Sequence, residues 1–217
     1  MSKKNYLNII IVNQQKNKNW LNKLISIIKI DNIKNKIKIF KKVSLKSVKN
    51  FNCDLLVSFH NCQIITKDII NHLNRRCINF HNSALPKNRG WAPILWTAYN
   101  NDLFATTIHE ISSELDTGNI YGQKLIKKSL KNHTMEEVYN LLENESLNLF
   151  KKIFPKIKKE IFSKKKVINY KKQIVKKGSY QNKLQSKILM GLLPGGYQTK
   201  IKDITALGKN KSIIIES

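Results

Sequence analysis

The residues best suited to chemistry lie in one stretch, NFHNSALPKNRGWAP, at positions 79–93. Its Asn79 and His81 are two residues apart, so on an extended strand both side chains point to the same face. An acid, Asp116, follows within the sequence LDTG. An amide, an imidazole and a carboxylate can stabilise an oxyanion, transfer a proton and orient the imidazole, respectively. These are the tasks that acyl transfer to an amine requires.

Strand patterns must position these residues. Short apolar runs rich in β-branched residues predict buried parallel strands. Because helix patterns separate these runs, the sequence predicts an α/β fold with an open, mostly parallel, twisted sheet. Functional residues in such sheets lie at the carboxyl ends of strands, where we expect Asn79 and His81. The predicted strands cover residues 7–12, 37–40, 55–59, 77–80, 105–111, 119–125 and 213–215.

The helix patterns lie between these strands. One begins at Asn19, which we expect to be its N-cap, and another covers about residues 65–73. A third begins at Pro93, since proline suits the first helical turn. Thr134-Met-Glu-Glu is a capping box that opens a fourth helix, which we expect to end near Pro155.

The domain organisation is expected to be simple. We predict one catalytic domain over residues 1–162 and a lysine-rich extension over residues 163–217, which packs on the domain or at the interface of a homodimer. The three cysteines have no metal-ligand spacing, so no metal site is expected. No signal-peptide pattern and no apolar run of roughly 18–20 residues occurs. These absences predict a cytoplasmic protein without membrane contact.

The chain is strongly basic, with 40 lysines and arginines against 14 acids and a formal net charge of +26. Three of the basic residues are arginines. The lysines are concentrated before residue 51 and after residue 150, whereas the middle of the chain is close to neutral. An anionic partner and a merely solvated lysine surface both fit this distribution.

The cluster that begins at Asn79 resembles the signature of the 10-formyltetrahydrofolate-dependent formyltransferase family. That signature is N-x-H-x-S-x-L-P-x-x-R-G, followed by D-x-G. The resemblance runs from about Leu55 to Leu125, and it implies a Rossmann-like formyltransferase fold. The residues in register with the signature are Asn79, His81, Ser83, Leu85, Pro86, Arg89, Gly90, Asp116 and Gly118.

The resemblance also implies roles for individual residues. Asn79 and His81 would hold the formyl oxygen, and His81 or a water would collect the proton of the attacking amine. Asp116 would orient His81 and a bound water. Leu85–Pro86 is a candidate cis peptide. Residues expected beside the substrate or on the adjoining loops are Ser83, Arg89, Trp91 and His109.

A pocket for the folate co-substrate is implied on two segments. One is the loop after the third predicted strand, and the other leads into Asp116. Without the resemblance, Cys62, Ile64 and Ile65 would be interpreted as ordinary core and the start of a helix. The residues expected to bind 10-formyltetrahydrofolate are Cys62, Gln63, Ile64, Ile65, Ile111 and Leu115.

Four branches of this family differ in what they act on. RGWAP at 89–93 and TIH at 107–109 are similar to enzymes that formylate nucleotide-linked amino sugars. The glycinamide ribonucleotide branch binds its phosphate on a glycine-rich loop, where this chain reads VNQQKN at 12–17. The methionyl-tRNA branch suits the basic flanks, but it has a barrel domain longer than the segment after Ser163. A formyl-folate hydrolase would need an additional N-terminal domain.

We therefore expect a small-molecule amine acceptor, most simply a sugar nucleotide. Glycinamide ribonucleotide and methionyl-tRNA are the alternative acceptors. A hypothesis of another class is an inactive, basic nucleic-acid-binding module on the same scaffold. Steep loss of binding with rising salt would distinguish nucleic-acid binding from folate binding in a closed pocket. The intact Asn79, His81 and Asp116 favour an enzyme.

Overall fold

The structure is a computed structural model that describes residues 5–16, 18–163 and 170–209. The strand predicted at residues 213–215 lies outside these ranges. The chain forms two compact units, each assembled from several segments. The first unit comprises residues 1–80, 108–122 and 147–172, and the second comprises residues 81–107, 123–146 and 173–217. In the described ranges, every helix is too short or too polar to cross a membrane.

Eight strands and seven α-helices make up the described residues. The strands are β1 Asn8–Val12, β2 Lys36–Phe40, β3 Leu55–Ser58, β4 Cys77–His81, β5 Arg89–Gly90, β6 Ala105–Glu110, β7 Ile120–Leu125 and β8 Tyr180–Gln181. The helices are α1 Asn19–Asp31, α2 Leu45–Asn50, α3 Lys67–His72, α4 Pro93–Tyr99, α5 Met135–Ser163, α6 Lys183–Gly191 and α7 Ile201–Lys209. Two short 3₁₀ turns cover Val175–Lys177 and Gly196–Gln198.

The main sheet has six strands in the order β2-β1-β3-β4-β6-β7. β1 pairs in parallel with both β2 and β3, placing Ile9 opposite Ile37 and Leu55. β3 pairs in parallel with β4, placing Val57 opposite Ile78. The predicted α/β fold with a mostly parallel sheet is therefore confirmed.

The core of the first unit covers both faces of the parallel strands. Ile9 and Val57 pack on one face with residues of α1 and α5, and Ile10 and Leu56 pack on the other with residues of α2 and α3. Such strands have almost no polar positions because neither face meets water. The predicted N-cap of α1 is wrong, since Asn19 is its first helical residue and no side chain caps this end.

Helix α5 continues past Pro155 to Ser163, so the predicted end of this helix is wrong. Proline inside a helix costs about 3 kcal/mol or more. Phe154 and Ile157 flank it and are buried in the core of the first unit, where each contributes about 1.5–3 kcal/mol. Tertiary packing thus outweighs the local penalty. The predicted capping box is present, since Thr134 N–H donates to Glu137 Oε2 at 2.8 Å and Glu137 N–H to Thr134 Oγ1 at 3.2 Å.

The second unit is mainly helical. Residues of α4, α6 and α7 pack with the first turns of α5 around Leu95, Leu142, Leu189 and Ile204. Its two-stranded sheet pairs β5 in parallel with β8. The residues described from 173 to 209 belong to this unit. The Leu85–Pro86 peptide bond, also in this unit, is cis, as predicted.

Candidate active site

In the first unit, neighbouring strands bring an amide and an imidazole together. Ile111 N–H donates to the Cys77 carbonyl at 2.8 Å, which fixes the end of β6 beside the start of β4. Asn79 lies on β4 and His109 on β6. Asn79 Nδ2 is 3.2 Å from His109 Nε2. His109, grouped with the substrate or loop residues, lies within the strand predicted over residues 105–111, and the structure places it on β6 with 1% of its surface exposed.

Asp116 completes this cluster from the loop between β6 and β7. Its Oδ1 is 3.4 Å from His109 Nε2 and 3.4 Å from Asn79 Nδ2. The Asp116 side chain is buried, with 7% of the residue exposed. The structure therefore brings together Asn79 and Asp116, two of the three residues predicted to act in catalysis. Both contact His109, and the pairing of His109 with Asp116 was not predicted.

The hydrogen bonds of His109 define which of its ring nitrogens carries the proton in the neutral form. Its Nδ1 is 2.7 Å from the carbonyl oxygen of Glu110. A carbonyl only accepts, so Nδ1 carries the proton, and in the neutral ring Nε2 accepts from Asn79. If the ring gains a second proton, Nε2–H faces the carboxylate of Asp116. The arrangement can therefore hold the Asn79 amide in a fixed orientation and set a carboxylate beside the imidazole.

The loop that carries Asp116 has an unusual backbone. Asp116 has a φ of +54°, a left-handed conformation that aspartate tolerates better than most residues. Gly118 packs directly against the Glu110 main chain, and a Cβ there would overlap the carbonyl oxygen that His109 uses. Ser112 Oγ donates to the Glu114 carbonyl at 3.0 Å and bridges the loop. The third position of the D-x-G motif must therefore be glycine, because the main chain of Glu110 leaves no room for a Cβ there.

The second unit holds His81 at the end of β4. His81 is buried, and its Nε2 donates to the carbonyl of Asn88 at 2.9 Å, which leaves Nδ1 as the basic nitrogen of the neutral ring. Asn88 is itself fixed by Nδ2 contacts of 3.1 Å to Thr97 and to Asp102. Its N–H donates to Ser179 Oγ at 2.8 Å. Asn88 was not predicted, because its importance depends on Ser179, which is 91 residues away in sequence.

The other predicted loop residues also lie in the second unit. Ser83 is buried, and its Oγ donates to the Lys87 carbonyl at 2.7 Å. Arg89 lies on β5, with its guanidinium 5.9 Å from the centre of the Tyr180 ring. The half-buried ring of Trp91 has Lys183 Nζ 4.6 Å above its centre. These contacts join the signature segment to residues that follow position 178.

The residues predicted to bind folate lie on two segments of the first unit. Ile65 is buried, and Ile111 packs against the same core cluster. Gln63 bridges to Val43 through two hydrogen bonds of 2.8 Å, and the exposed Cys62 donates its N–H to Gln14. Two apolar side chains remain in solvent: Ile64 is 75% exposed and Leu115 is 43% exposed.

The two buried cysteines of the first unit are poor candidates for thiolate chemistry. Burial raises the pKa of Cys77, at the start of β4, far above its ordinary value. Burial also raises the pKa of Cys53 to about 11. Within the described ranges, no group of three or more His, Cys, Asp or Glu side chains could hold a metal ion. The polar cluster around Asp116 is therefore the strongest candidate for chemistry in the first unit.

Comparison with known proteins identifies the family of the chain. Residues 10–154, about two thirds of the chain, match the sequence profile of the formyl transferase family. The fold is an open α/β sheet, and the profile match shows that the chain belongs to the formyl transferase family. The family resemblance noted at Asn79–Gly90 is thereby confirmed.

Curated relatives cover different parts of this family. The chain is 35% identical over 108 residues to the methionyl-tRNA formyltransferase of Borrelia garinii subsp. bavariensis, which is 47% of this chain and 34% of that protein. It is 29% identical over 141 residues to the bifunctional polymyxin resistance protein ArnA of Wigglesworthia glossinidia brevipalpis, which is 62% of this chain and 21% of that protein. The chain thus spans about a third or less of the length of these relatives.

A solved structure matches over nearly the full length. The formyltransferase PseJ from Anoxybacillus kamchatkensis, in complex with UDP-4,6-dideoxy-4-formamido-L-AltNAc and tetrahydrofolate, is 27% identical to this chain. The match has a TM-score of 0.78 and covers 93% of this chain and 99% of that one.

Proposed function

We propose that this protein transfers a formyl group from 10-formyltetrahydrofolate to the amino group of a nucleotide-linked amino sugar. The observation that carries this proposal is the full-length likeness to PseJ, which covers 99% of that chain, together with the cluster of Asn79, His109 and Asp116. In the reaction the amine nitrogen bonds to the formyl carbon, and the bond from that carbon to the folate nitrogen breaks. The amine loses one proton and the released folate nitrogen gains one.

We propose that Asn79 holds the formyl oxygen. One N–H of its amide donates to His109 Nε2 at 3.2 Å. Its 3.4 Å contact with Asp116 is longer than an ordinary hydrogen bond of about 2.7–3.2 Å. That donor can therefore turn to an oxygen that gains negative charge. His109, fixed through Nδ1, keeps the amide oriented, and such preorganisation lowers the barrier to reaction.

Proton transfer falls to the imidazoles and to Asp116. His81 presents Nδ1 as a base because Nε2 is committed to the Asn88 carbonyl. We propose that His81 takes the proton of the attacking amine. Asp116 lies 3.4 Å from His109 in the first unit, and we propose that it orients that ring. That Asp116 also orients His81 and a bound water remains a prediction.

The folate co-substrate fits the first unit through exposed apolar side chains. Ile64 and Leu115 offer apolar surface that a flat ring can cover, and Ile65 and Ile111 provide a packed base beneath the two segments. We propose that these residues, with Cys62 and Gln63, hold 10-formyltetrahydrofolate, which supplies the formyl group. The basic surface of the chain suits the anionic tail of folate.

The proposed acceptor is supported by groups in the second unit. Arg89 beside Tyr180 and Lys183 over Trp91 combine cations with aromatic rings. A nucleoside diphosphate presents phosphates that cations bind and a base that an aromatic ring can stack on. Methionyl-tRNA is the second candidate acceptor, because a methionyl-tRNA formyltransferase is 35% identical over 108 residues and the chain carries a net charge of +26.

A panel of amines tests the acceptor. Purified protein is mixed with 10-formyltetrahydrofolate and, separately, with amino-sugar nucleotides, glycinamide ribonucleotide and methionyl-tRNA, while tetrahydrofolate release is followed. We expect turnover with at least one amino-sugar nucleotide. Turnover confined to methionyl-tRNA would move the assignment to the second candidate. No turnover with any amine would contradict the enzymatic function itself.

Variants test the residues. His81→Ala and Asp116→Asn are each expected to lower kcat by about 10²–10⁴, the usual effect of losing a positioned proton-transfer group. Glu114→Gln is the matched control, because it makes the same carboxylate-to-amide change as Asp116→Asn on an exposed side chain of the same loop. Its kcat should stay near that of the wild type. A fully active Asp116→Asn would remove Asp116 from the mechanism.

A further inference from the structure

The first unit contains a cavity of about 600 Å³ that the proposed reaction does not use. It lies at the amino ends of β3 and β4, whereas Asn79 lies further along β4. None of the residues in the Asn79–His109–Asp116 cluster lines it. The lining residues are Leu55, Asn74, Arg75, Arg76, Glu110, Asn119, Tyr121, Ile157, Glu160, Ile161 and Tyr170.

One wall of this cavity is cationic. Arg75 and Arg76 are two of the three arginines in a chain whose other basic residues are all lysines. Arg75 has a φ of +64°, which is uncommon for a residue with a long side chain, and it forms an ion pair with Glu110. Arg76 donates through Nε to the Leu73 carbonyl at 2.8 Å. Arg76 is half-buried and lines the cavity, and its terminal guanidinium N–H groups are donors that suit an anion.

The opposite wall is aromatic and apolar. The rings of Tyr121 and Tyr170 pack edge to face, with centroids 4.9 Å apart and planes at 83°. Burial raises the pKa of the Tyr121 hydroxyl, and burial with the nearby Glu160 raises that of Tyr170, so both rings stay uncharged. Leu55 and Ile157 are buried beneath them. The Glu160 carboxylate also lines the cavity and accepts a hydrogen bond from the Tyr170 hydroxyl, so the two rings are the part of this wall that suits a planar ligand.

We infer that this cavity binds a small aromatic oxyanion, meaning a planar ring joined to a phosphate or carboxylate. The oxyanion would bind to the Arg76 fork, which matches two oxygens at once. The ring would lie against Tyr121 and Tyr170. The volume lies within the range of roughly 300–1,000 Å³ usual for small-molecule sites. The lining combines apolar and aromatic side chains with two arginines and two glutamates. This site is independent of the proposed formyl transfer.

Calorimetric titration of the full chain, without folate or acceptor, tests the inference. The probes are adenosine 5′-monophosphate and 4-aminobenzoate, one a phosphate and the other a carboxylate. The matched controls are adenosine, which lacks the anion, and ribose 5-phosphate, which lacks the ring. At least one probe is expected to bind at least tenfold more tightly than either control. No saturable binding of either probe, or equal binding of a control, would overturn the inference.

Variants locate the binding. Arg76→Gln is expected to weaken binding of the probe by about tenfold or more, and Arg76→Lys by less, since lysine keeps the charge but loses the fork. Lys159→Gln removes one charge from an exposed position of α5 outside the lining, and it should change the affinity by less than about twofold. Unchanged affinity in Arg76→Gln would place the binding elsewhere, for example at an acceptor site, and would overturn the inference. Should Arg76→Gln fail to fold, Arg76→Lys gives the same test.

Discussion

Replacing Gly118 with alanine should damage both stability and activity, although it adds only one methyl group. The new Cβ would overlap the Glu110 carbonyl oxygen and would lie 2.7 Å from its carbonyl carbon, where ordinary contacts are 3.4–4 Å. The Glu110 main chain or the loop must therefore move by about 0.7 Å to relieve the contact with the carbon, and by about twice as much to relieve the overlap with the oxygen. That carbonyl oxygen accepts the 2.7 Å hydrogen bond from His109 Nδ1, which would be stretched toward its limit.

The free energy of unfolding should fall by about 2–4 kcal/mol. Inserting a methyl group into a packed site costs about 1–3 kcal/mol. Loss of the hydrogen bond to His109 adds about 1 kcal/mol. Because Asn79 and Asp116 are arranged around His109, the same movement displaces the proposed site. A displacement near 1 Å can cost about 10²-fold in rate, so kcat should fall by about 10- to 100-fold.

Urea denaturation measures the first effect, and tetrahydrofolate release with the accepted amine measures the second. Gly191→Ala is the matched control, because a Cβ at this last residue of α6 meets nothing within 4 Å. The control should be neutral or stabilising by up to about 1 kcal/mol. If Gly118→Ala unfolded at the urea concentration of the wild type with unchanged kcat, the argument that this glycine positions the loop would be refuted.

Two further predictions concern the thiols and the capping box. Burial raises the pKa of Cys53 to about 11 from an ordinary value of 9.0, and that of Cys77 in the same direction, so the folded state holds thiol protons that the unfolded state has released. The free energy of unfolding should therefore fall as the pH rises from about 9 to 11, and a Cys53→Ala/Cys77→Ala double variant should show a shallower fall in urea titrations. Thr134→Ala should cost about 1 kcal/mol, because it removes the acceptor for Glu137 N–H, and the same titration at pH 7 measures that loss.

The strands could be predicted because their signal is local. A buried parallel strand needs consecutive apolar side chains, and such a run is visible without any neighbour. β1, β3 and β4 therefore appear within a residue of their predicted ends. The capping box at Thr134 is equally local, since both partners lie within one helical turn.

Helix ends required the tertiary structure. Proline at position 155 predicts a stop from local sterics, but the free energy gained by burying Phe154 and Ile157 depends on a core assembled from distant strands. Asn19 likewise has the residue type of an N-cap, yet α1 already includes it. Local helix propensities are worth a few tenths of a kcal/mol up to about 1 kcal/mol per residue, which is less than the free energy of burying a large apolar side chain.

The candidate site also has a part that the sequence predicted and a part that only the tertiary structure revealed. The sequence by itself predicted Asn79, His81 and Asp116 as the chemical groups, because their types and spacing form a signature. Only the tertiary structure decided that His109 is the imidazole that meets Asp116, and that Asn88 holds His81. Those contacts arise from the pairing of β4 with β6 and from a segment some ninety residues away. The physical reason is that a hydrogen bond forms only between atoms that are close in space. When strands from separate segments pair, residues far apart in the sequence become neighbours, and their separation along the chain does not reveal this.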